Sequence, residues 1–396
     1  MNLPIYLDHN ATTPLDPRVF QAMTPFFLDA FGNAASRGHS FGFRAMRAVD
    51  QARVQVSSLL GCDIKEIVWT SGATESNNLA IKGVADMYAD VGRHIITQTT
   101  EHKAVLDPCK KLSHHGYDVT FLSPDKTGLI DLNELADSIR PDTILVSIMA
   151  ANNEIGTIQP IRKIGELCHQ RGVIFHCDAT QAIGKIPLNV EEDHIDLLSM
   201  SGHKLYGPKG AGVLYVRKKN PRVRLTPLLD GGGHEQGFRS GTLNVPGIVG
   251  VGCACELAML EMPQEGPRLA KLRDRLQRGI MARIEGVIVN GNEANRLPHV
   301  TNLSFTDVDG EQLLATLTRD LAVSSGSACT SASMEPSFVL KALGISNELA
   351  YSSVRFSLGA TNDEEQIEFA IERVAEYVRK LRLQVIADNV ESICYL

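Results

Sequence analysis

Residues 173–204 read VIFHCDATQAIGKIPLNVEEDHIDLLSMSGHK. One apolar run, Val173–His176, leads into Asp178. A second, Leu197–Met200, leads into Ser201-Gly202-His203-Lys204. Short apolar runs closed by small and polar residues have the pattern of buried strands. Open α/β sheets bind ligands beyond the carboxyl ends of their strands. If these two strands are neighbours, an acid and a lysine leave the sheet at one edge.

The same rhythm extends on both sides. Strand-like runs recur at Glu66–Trp69, His94–Thr97, Asp118–Leu122, Thr143–Ile148 and Gly212–Val216, with amphipathic helical stretches such as Asn77–Asp90 and Ile161–Arg171 between them. This alternation predicts an α/β fold, a mostly parallel sheet with helices on both faces. After Met262 the pattern changes. A charged helix over Gly266–Ile284, short strands at Val287–Val289 and Val300–Phe305, a helix over Gly310–Arg319 and a long helix over Asn362–Leu383 predict a smaller α+β domain. With a strand at Ile5–Leu7, the expected division is a large domain over 15–262 and a small domain formed by 1–14 and 263–396.

Composition narrows the function. The 396 residues are 43% hydrophobic and 21% charged, with a net charge of −7. That is the profile of a globular chain of two or so domains. A mildly acidic chain without a basic block is not expected to bind nucleic acid. The start, MNLPIYLDH, has neither the basic nor the apolar region of a secretory leader. The most apolar stretch, Val245–Leu260, is too short and too interrupted to predict a membrane span. Eight cysteines with no CxxC pair fit a reducing, cytoplasmic setting.

Several segments carry chemistry. Ser71-Gly72-Ala73-Thr74-Glu75-Ser76 joins a strand to a helix, where small residues and the helix dipole could cradle a phosphate; an ordinary helix cap is the alternative. Lys204 for a Schiff base and Asp178 for a ring nitrogen are what pyridoxal phosphate (PLP) needs. His102, after another strand, could stack on a ring or move protons. Asn153 offers an amide at the same sheet edge. Arg355, in a strand-like stretch, is suited to clamp a carboxylate. Ser324–Ser333 reads SSGSACTSAS, a loop of small residues around Cys329. A flexible segment of that length spans about 17 Å, and an exposed thiol there invites reaction.

Together these residues carry a resemblance. YLDHNATTP (Tyr6–Pro14), SGATESNNLAIKG (Ser71–Gly83), TEHKAVLD (Thr100–Asp107), NNEIG (Asn152–Gly156), DATQAIGK (Asp178–Lys185), SGHKLYGPKG (Ser201–Gly210), GGGHEQGFRSGT (Gly231–Thr242), SSGSACTSAS and VRFSLG (Val354–Gly359) resemble the cysteine desulfurases of the housekeeping iron–sulfur assembly type, within the class-V aminotransferases. The resemblance implies a type I PLP-dependent transferase fold with a seven-stranded sheet, acting as a homodimer. It implies that Lys204 bears PLP, Asp178 pairs with the pyridine nitrogen, Gln181 meets the ring hydroxyl and His102 stacks on the ring. Ala73, Thr74, Ser201 and His203 would hold the phosphate, with Thr242 arriving from the partner subunit. Asn153 and Arg355 would bind the carboxylate of L-cysteine. Cys329 would take the sulfur as a persulfide, leaving L-alanine, and pass it to a scaffold protein and to thiolation acceptors. Through that persulfide Cys329 would also be a transient iron–sulfur ligand shared with the scaffold. An aminotransferase or selenocysteine lyase gives the same cofactor site. An interaction protein with a vestigial pocket would not need Lys204, Asp178 and His102 intact. Relatives extend past the last helix to help dock the scaffold, and residues 387–396 do not match that extension.

Overall fold

The computed structural model describes residues 3–325 and 335–394, with backbone only for 385–394. In chain order the strands are β1 (Ile5–Tyr6), β2 (Ile67–Thr70), β3 (His94–Gln98), β4 (Asp118–Leu122), β5 (Thr143–Ser147), β6 (Ile174–Asp178), β7 (Leu197–Ser201), β8 (Gly212–Val216), β9 (Val287–Asn290), β10 (Val300–Phe305), β11 (Leu321–Ala322) and β12 (Ser353–Ser357). Seven of them form one sheet in the order β2-β8-β7-β6-β5-β3-β4. The pairs β3–β4, β3–β5, β5–β6 and β6–β7 are parallel, and β8 is antiparallel to both β7 and β2. The chain between β7 and β8 is too short for a helical crossover, so β8 has to return in the opposite direction.

Every residue of β5, β6, β7 and β8 is buried. Strands covered on both faces read as continuous apolar runs, the signal visible in the sequence. Alternate side chains enter different cores. Phe175 and Cys177 pack with the helices Ser40–Leu60 and Ile161–Arg171, whereas Ile174 packs with the helices Ala73–Met87 and Lys103–Ser113.

A second, three-stranded antiparallel sheet has the order β12-β10-β9. Its core joins Leu303, Phe305, Val354 and Phe356 to Ile371 and Val374 of the last helix, Glu364–Cys394. The N-terminal strand belongs here. β1 pairs in parallel with β11, and Ile5 and Leu7 are buried in this core. Just beyond it, the Thr13 backbone and hydroxyl both donate to the His203 carbonyl at 3.0 Å, which takes the chain across to the large sheet.

One helix differs from expectation. Instead of starting near Gly266, it runs unbroken over Val245–Arg283 and contains Pro263 and Pro267. Proline costs a helix an N–H bond and a steric clash, but packing at both ends outweighs that local signal. Val251, Ala254 and Cys255 are buried in the large core, and Leu269, Leu272, Leu276 and Ile280 in the small one. No residue between Cys255 and Leu269 is buried. By length and composition alone the helix could cross a membrane, as core helices of folded proteins also can. Here its N-terminal half lies against the core of the seven-stranded sheet.

Candidate active site

Register decides the site. Asp178 of β6 lies opposite Ser199 of β7, so the two strands end side by side as the sequence implied. Beyond β7 one turn of 3-10 helix, Gly202–Lys204, lifts the lysine over the sheet edge. A cavity of about 530 Å³ opens there. Of the residues expected from sequence, Ala73, Thr74, His102, Asn153, Asp178, Gln181, Ser201, His203 and Lys204 all line it.

At one end the helix Ala73–Met87 points its N-terminus into the cavity. Its cap residue is Gly72, and no side chain caps it. The backbone N–H groups of that first turn are therefore left for an anion. The turn lies directly on the sheet. A Cβ on Gly212 would come within 2.5 Å of the Gly72 Cα, so β8 can tolerate only glycine beneath it. Ser201 and His203 bring a hydroxyl and an imidazole to the same end. The His203 Nδ1 lies 3.1 Å from the Thr12 hydroxyl. Burial, aided by Lys204 and Lys209, pushes its pKa down to about 4, so the ring is neutral near pH 7. Glu75 also lies in this wall, where burial pushes its carboxyl up. Arg239 at 2.8 Å and the Ser71 N–H outweigh that and hold it below the usual range.

The middle of the cavity holds the acid and the lysine. Asn77 donates to Asp178 Oδ2 at 2.7 Å, and the Thr180 N–H donates to Oδ1 at 3.0 Å. The Lys204 Nζ donates to the carbonyls of Asn10 and Ala11, the latter at 2.8 Å. Gln181 donates to the same Asn10 carbonyl at 3.1 Å. The His102 Nδ1 accepts the Ala104 N–H at 3.0 Å, capping the helix Lys103–Ser113. A neutral His102 then carries its proton on Nε2.

Two expected residues lie outside this lining, and a third is not among the described residues. Thr242 is exposed and forms no part of the cavity wall in its own chain. Arg355 is buried beside the cavity rather than in its lining. It donates to Asp8 at 2.6 Å and to the Asn153 carbonyl at 2.9 Å, and its Nε has no hydrogen-bond partner among the described residues. Cys329, with its proposed iron role, lies outside the described residues. The six cysteines with described side chains make poor nucleophiles. Burial pushes Cys109 and Cys255 up to about 12 and raises Cys62, Cys168, Cys177 and Cys253 as well. A thiol so raised holds little thiolate.

Two residues of the site were not singled out from sequence. Asn10 supplies its carbonyl to Lys204 and Gln181. Its side chain accepts from His299 at 2.8 Å and donates to the Asn153 carbonyl at 3.0 Å. Its only sequence signal was its place in YLDHNATTP. Asn77, which sets Asp178, sits one helical turn inside the phosphate-loop helix, where spacing alone reads as packing.

The donor set fits PLP. An uncapped helix N-terminus with hydroxyls suits the phosphate, Asp178 suits the pyridine nitrogen and Lys204 suits the aldehyde. The buried Thr180 hydroxyl and Asn77 Oδ1, both without hydrogen-bond partners among the described residues, lie in the same wall.

Comparison with known proteins agrees. Residues 5–369 match the model of the aminotransferase class-V family. The chain is 56% identical over 382 residues to cysteine desulfurase IscS of Anaeromyxobacter dehalogenans (strain 2CP-C), covering 96% of this chain and 94% of that protein. Among solved structures, a NifS-like protein superposes with a TM-score of 0.89 at 38% identity, covering 96% of this chain and all (100%) of that one. SspA in complex with cysteine superposes at 0.80 with 39% identity, covering 89% of this chain and 98% of that one. The chain belongs to the class-V aminotransferase family and has the type I PLP-dependent transferase fold.

Proposed function

We propose that this chain is a PLP-dependent cysteine desulfurase that moves the sulfur of L-cysteine onto Cys329 and releases L-alanine. What supports the reading most is the meeting of Asp178 and Lys204 at adjacent strand ends, on a cavity with a free helix N-terminus, in a chain so similar to named cysteine desulfurases. Bound PLP supplies an electron sink beside the substrate α-carbon. Asp178 keeps the ring nitrogen protonated. Lys204, steered by the Asn10 and Ala11 carbonyls, takes the α-proton. Asn153 and Arg355 orient the carboxylate. His102 moves a proton at the substrate thiol through Nε2. The Cys329 thiolate then attacks the substrate sulfur. An S–S bond forms and the Cβ–S bond breaks. The electron pair stays on carbon, which takes a proton and becomes the methyl group of alanine. Cysteine and the Cys329 thiol thus give alanine and a Cys329 persulfide with no further oxidant. From there sulfur passes to an iron–sulfur scaffold and other acceptor proteins in the cytoplasm, and the persulfide serves transiently as an iron–sulfur ligand.

The division into a large domain (15–262) and a small one (1–14 with 263–396) is part of this reading, since it lets the root of the Cys329 segment and Arg355 approach the cavity from one side. So is the homodimer. Phe20, Phe27, Leu28 and Phe31 lie exposed close together in sequence, an apolar surface suited to a second copy. Sedimentation should give twice the chain mass, and Thr242→Ala should weaken PLP binding. A monomer with full PLP affinity would contradict this. Asp178→Ala should bind PLP weakly and lose about 10²–10³-fold in turnover, the scale for removing one partner of a buried charge pair. Steady-state alanine release measures it, and near-normal turnover would show that the electron sink does not need Asp178.

A further inference from the structure

The turn Asn152–Gly156 is built to be rigid. The Asn152 Oδ1 accepts the N–H groups of Glu154 at 2.8 Å and Ile155 at 3.1 Å, and its amide donates to the Thr100 carbonyl at 3.0 Å. The Gly156 N–H closes the turn onto the Asn152 carbonyl at 3.0 Å. Its neighbours fall on two sides. On one, the Asn153 carbonyl accepts from Arg355. On the other, the Glu154 carboxyl accepts the hydroxyl of Ser337, while that hydroxyl oxygen caps the helix Phe338–Ala342 by accepting the Leu340 N–H at 3.2 Å. Ile155 packs into a separate apolar cluster with Val339, Leu340 and Leu343 of the same region. The Asn302 amide holds the Glu154 carbonyl at 3.2 Å.

Glu154 and Ser337 are each 3% exposed, and no step of the chemistry above uses either. Burying a carboxyl is costly unless it is hydrogen-bonded. Burial pushes Glu154 up to about 7, against the pull of Ser337, Arg355 and His102. Such a group is placed where geometry matters more than stability. Ser337 stands just after residues 326–334. Ser324, just before them, pairs its backbone with that of Arg355, which donates its N–H to the Ser324 carbonyl at 2.8 Å. Both roots of the segment that contains Cys329 are therefore fastened to Arg355 or to the turn that Arg355 touches.

We infer that Glu154 is a positioning residue for sulfur transfer: by holding Ser337 it sets the C-terminal root of the Cys329 segment against the turn that places the substrate-carboxylate arginine. The inference rests on the desulfurase reading. It assigns Glu154 no contact with substrate or cofactor. Its effect belongs to the step in which Cys329 acts and not to the earlier steps at Lys204.

The test uses full-length, PLP-loaded protein and follows two events after mixing with L-cysteine. One is the change in visible absorbance, which needs Lys204 but not Cys329. The other is the gain of sulfur on the Cys329 peptide by quenched-flow mass spectrometry. Ser337→Ala should retain its PLP and show the absorbance change at the parent rate, while sulfur loading slows by about tenfold, the scale of one hydrogen bond to a charged or buried carboxyl. Glu154→Ala should slow loading at least as much. Ser337→Thr, which keeps the hydroxyl, should restore most of the rate. Loading at the parent rate in Ser337→Ala would overturn the inference, as would an absorbance change slowed by the same factor. A parent protein that gains no sulfur on Cys329 would overturn the desulfurase reading itself, a result distinct from either.

Discussion

Lys204→Ala should fold, take up PLP only reversibly and form alanine from L-cysteine about 10³-fold more slowly, or worse. Lys204 has two roles in the proposed chemistry, the covalent tether and the base for the α-proton. Its Nζ is aimed by two carbonyls, those of Asn10 and Ala11, from a segment far away in sequence. Removing it leaves the phosphate end of the cavity, the uncapped first turn of Ala73–Met87 with Ser201 and His203, untouched. Weak cofactor binding should therefore survive while catalysis does not. Borohydride reduction followed by peptide mapping reads the tether directly. A reduced PLP adduct on another lysine, such as Lys209 in the same wall, would show that Lys204 was misassigned.

Cys329→Ser should have the second large effect, and the opposite profile. PLP should bind and the absorbance change with cysteine should persist, while alanine and persulfide fall to background, a loss of about 10³-fold or more for removing a nucleophile. A hydroxyl is a poor nucleophile toward sulfur and cannot form a persulfide. The other cysteines with described side chains offer no substitute. Cys177 lies in β6, close to the cavity in sequence, but burial raises its thiol well above the ordinary value, and Asp178, Glu101 and Asp193 add to the rise. Cys394 should be dispensable by the same assay. Persulfide on the Cys177 peptide instead, or parent-like alanine formation in Cys329→Ser, would sink the proposed transfer.

The sheet and the cofactor end of the site were legible because each rests on a local signal. Strands buried on both faces advertise themselves as apolar runs, and their polar termini, Asp178 and Ser201–Lys204, mark the edge where ligands bind. The unbroken helix Val245–Arg283 was not legible, since Pro263 and Pro267 are strong local breakers and only packing against two cores at once overrules them. Asn10 was missed for a related reason. Its partners Lys204, Gln181, His299, Asn153 and Ser357 come together only once β1 has paired with β11 and the chain has crossed to the large sheet. The sequence suggested Arg355 as a carboxylate clamp, but its ion pair with Asp8 spans nearly the whole chain and has no trace in spacing. Glu154 could not be told from its motif neighbours until the fold placed Ser337 against it.

The most direct measurement is a mass spectrum of the holoenzyme after it meets L-cysteine, with alanine counted in the same sample. The proposed mechanism predicts one sulfur atom added to the peptide containing Cys329 for each first-turnover alanine. It also predicts that both signals vanish in Cys329→Ser while bound PLP remains. Alanine without sulfur on Cys329, or sulfur on any other cysteine, would contradict it.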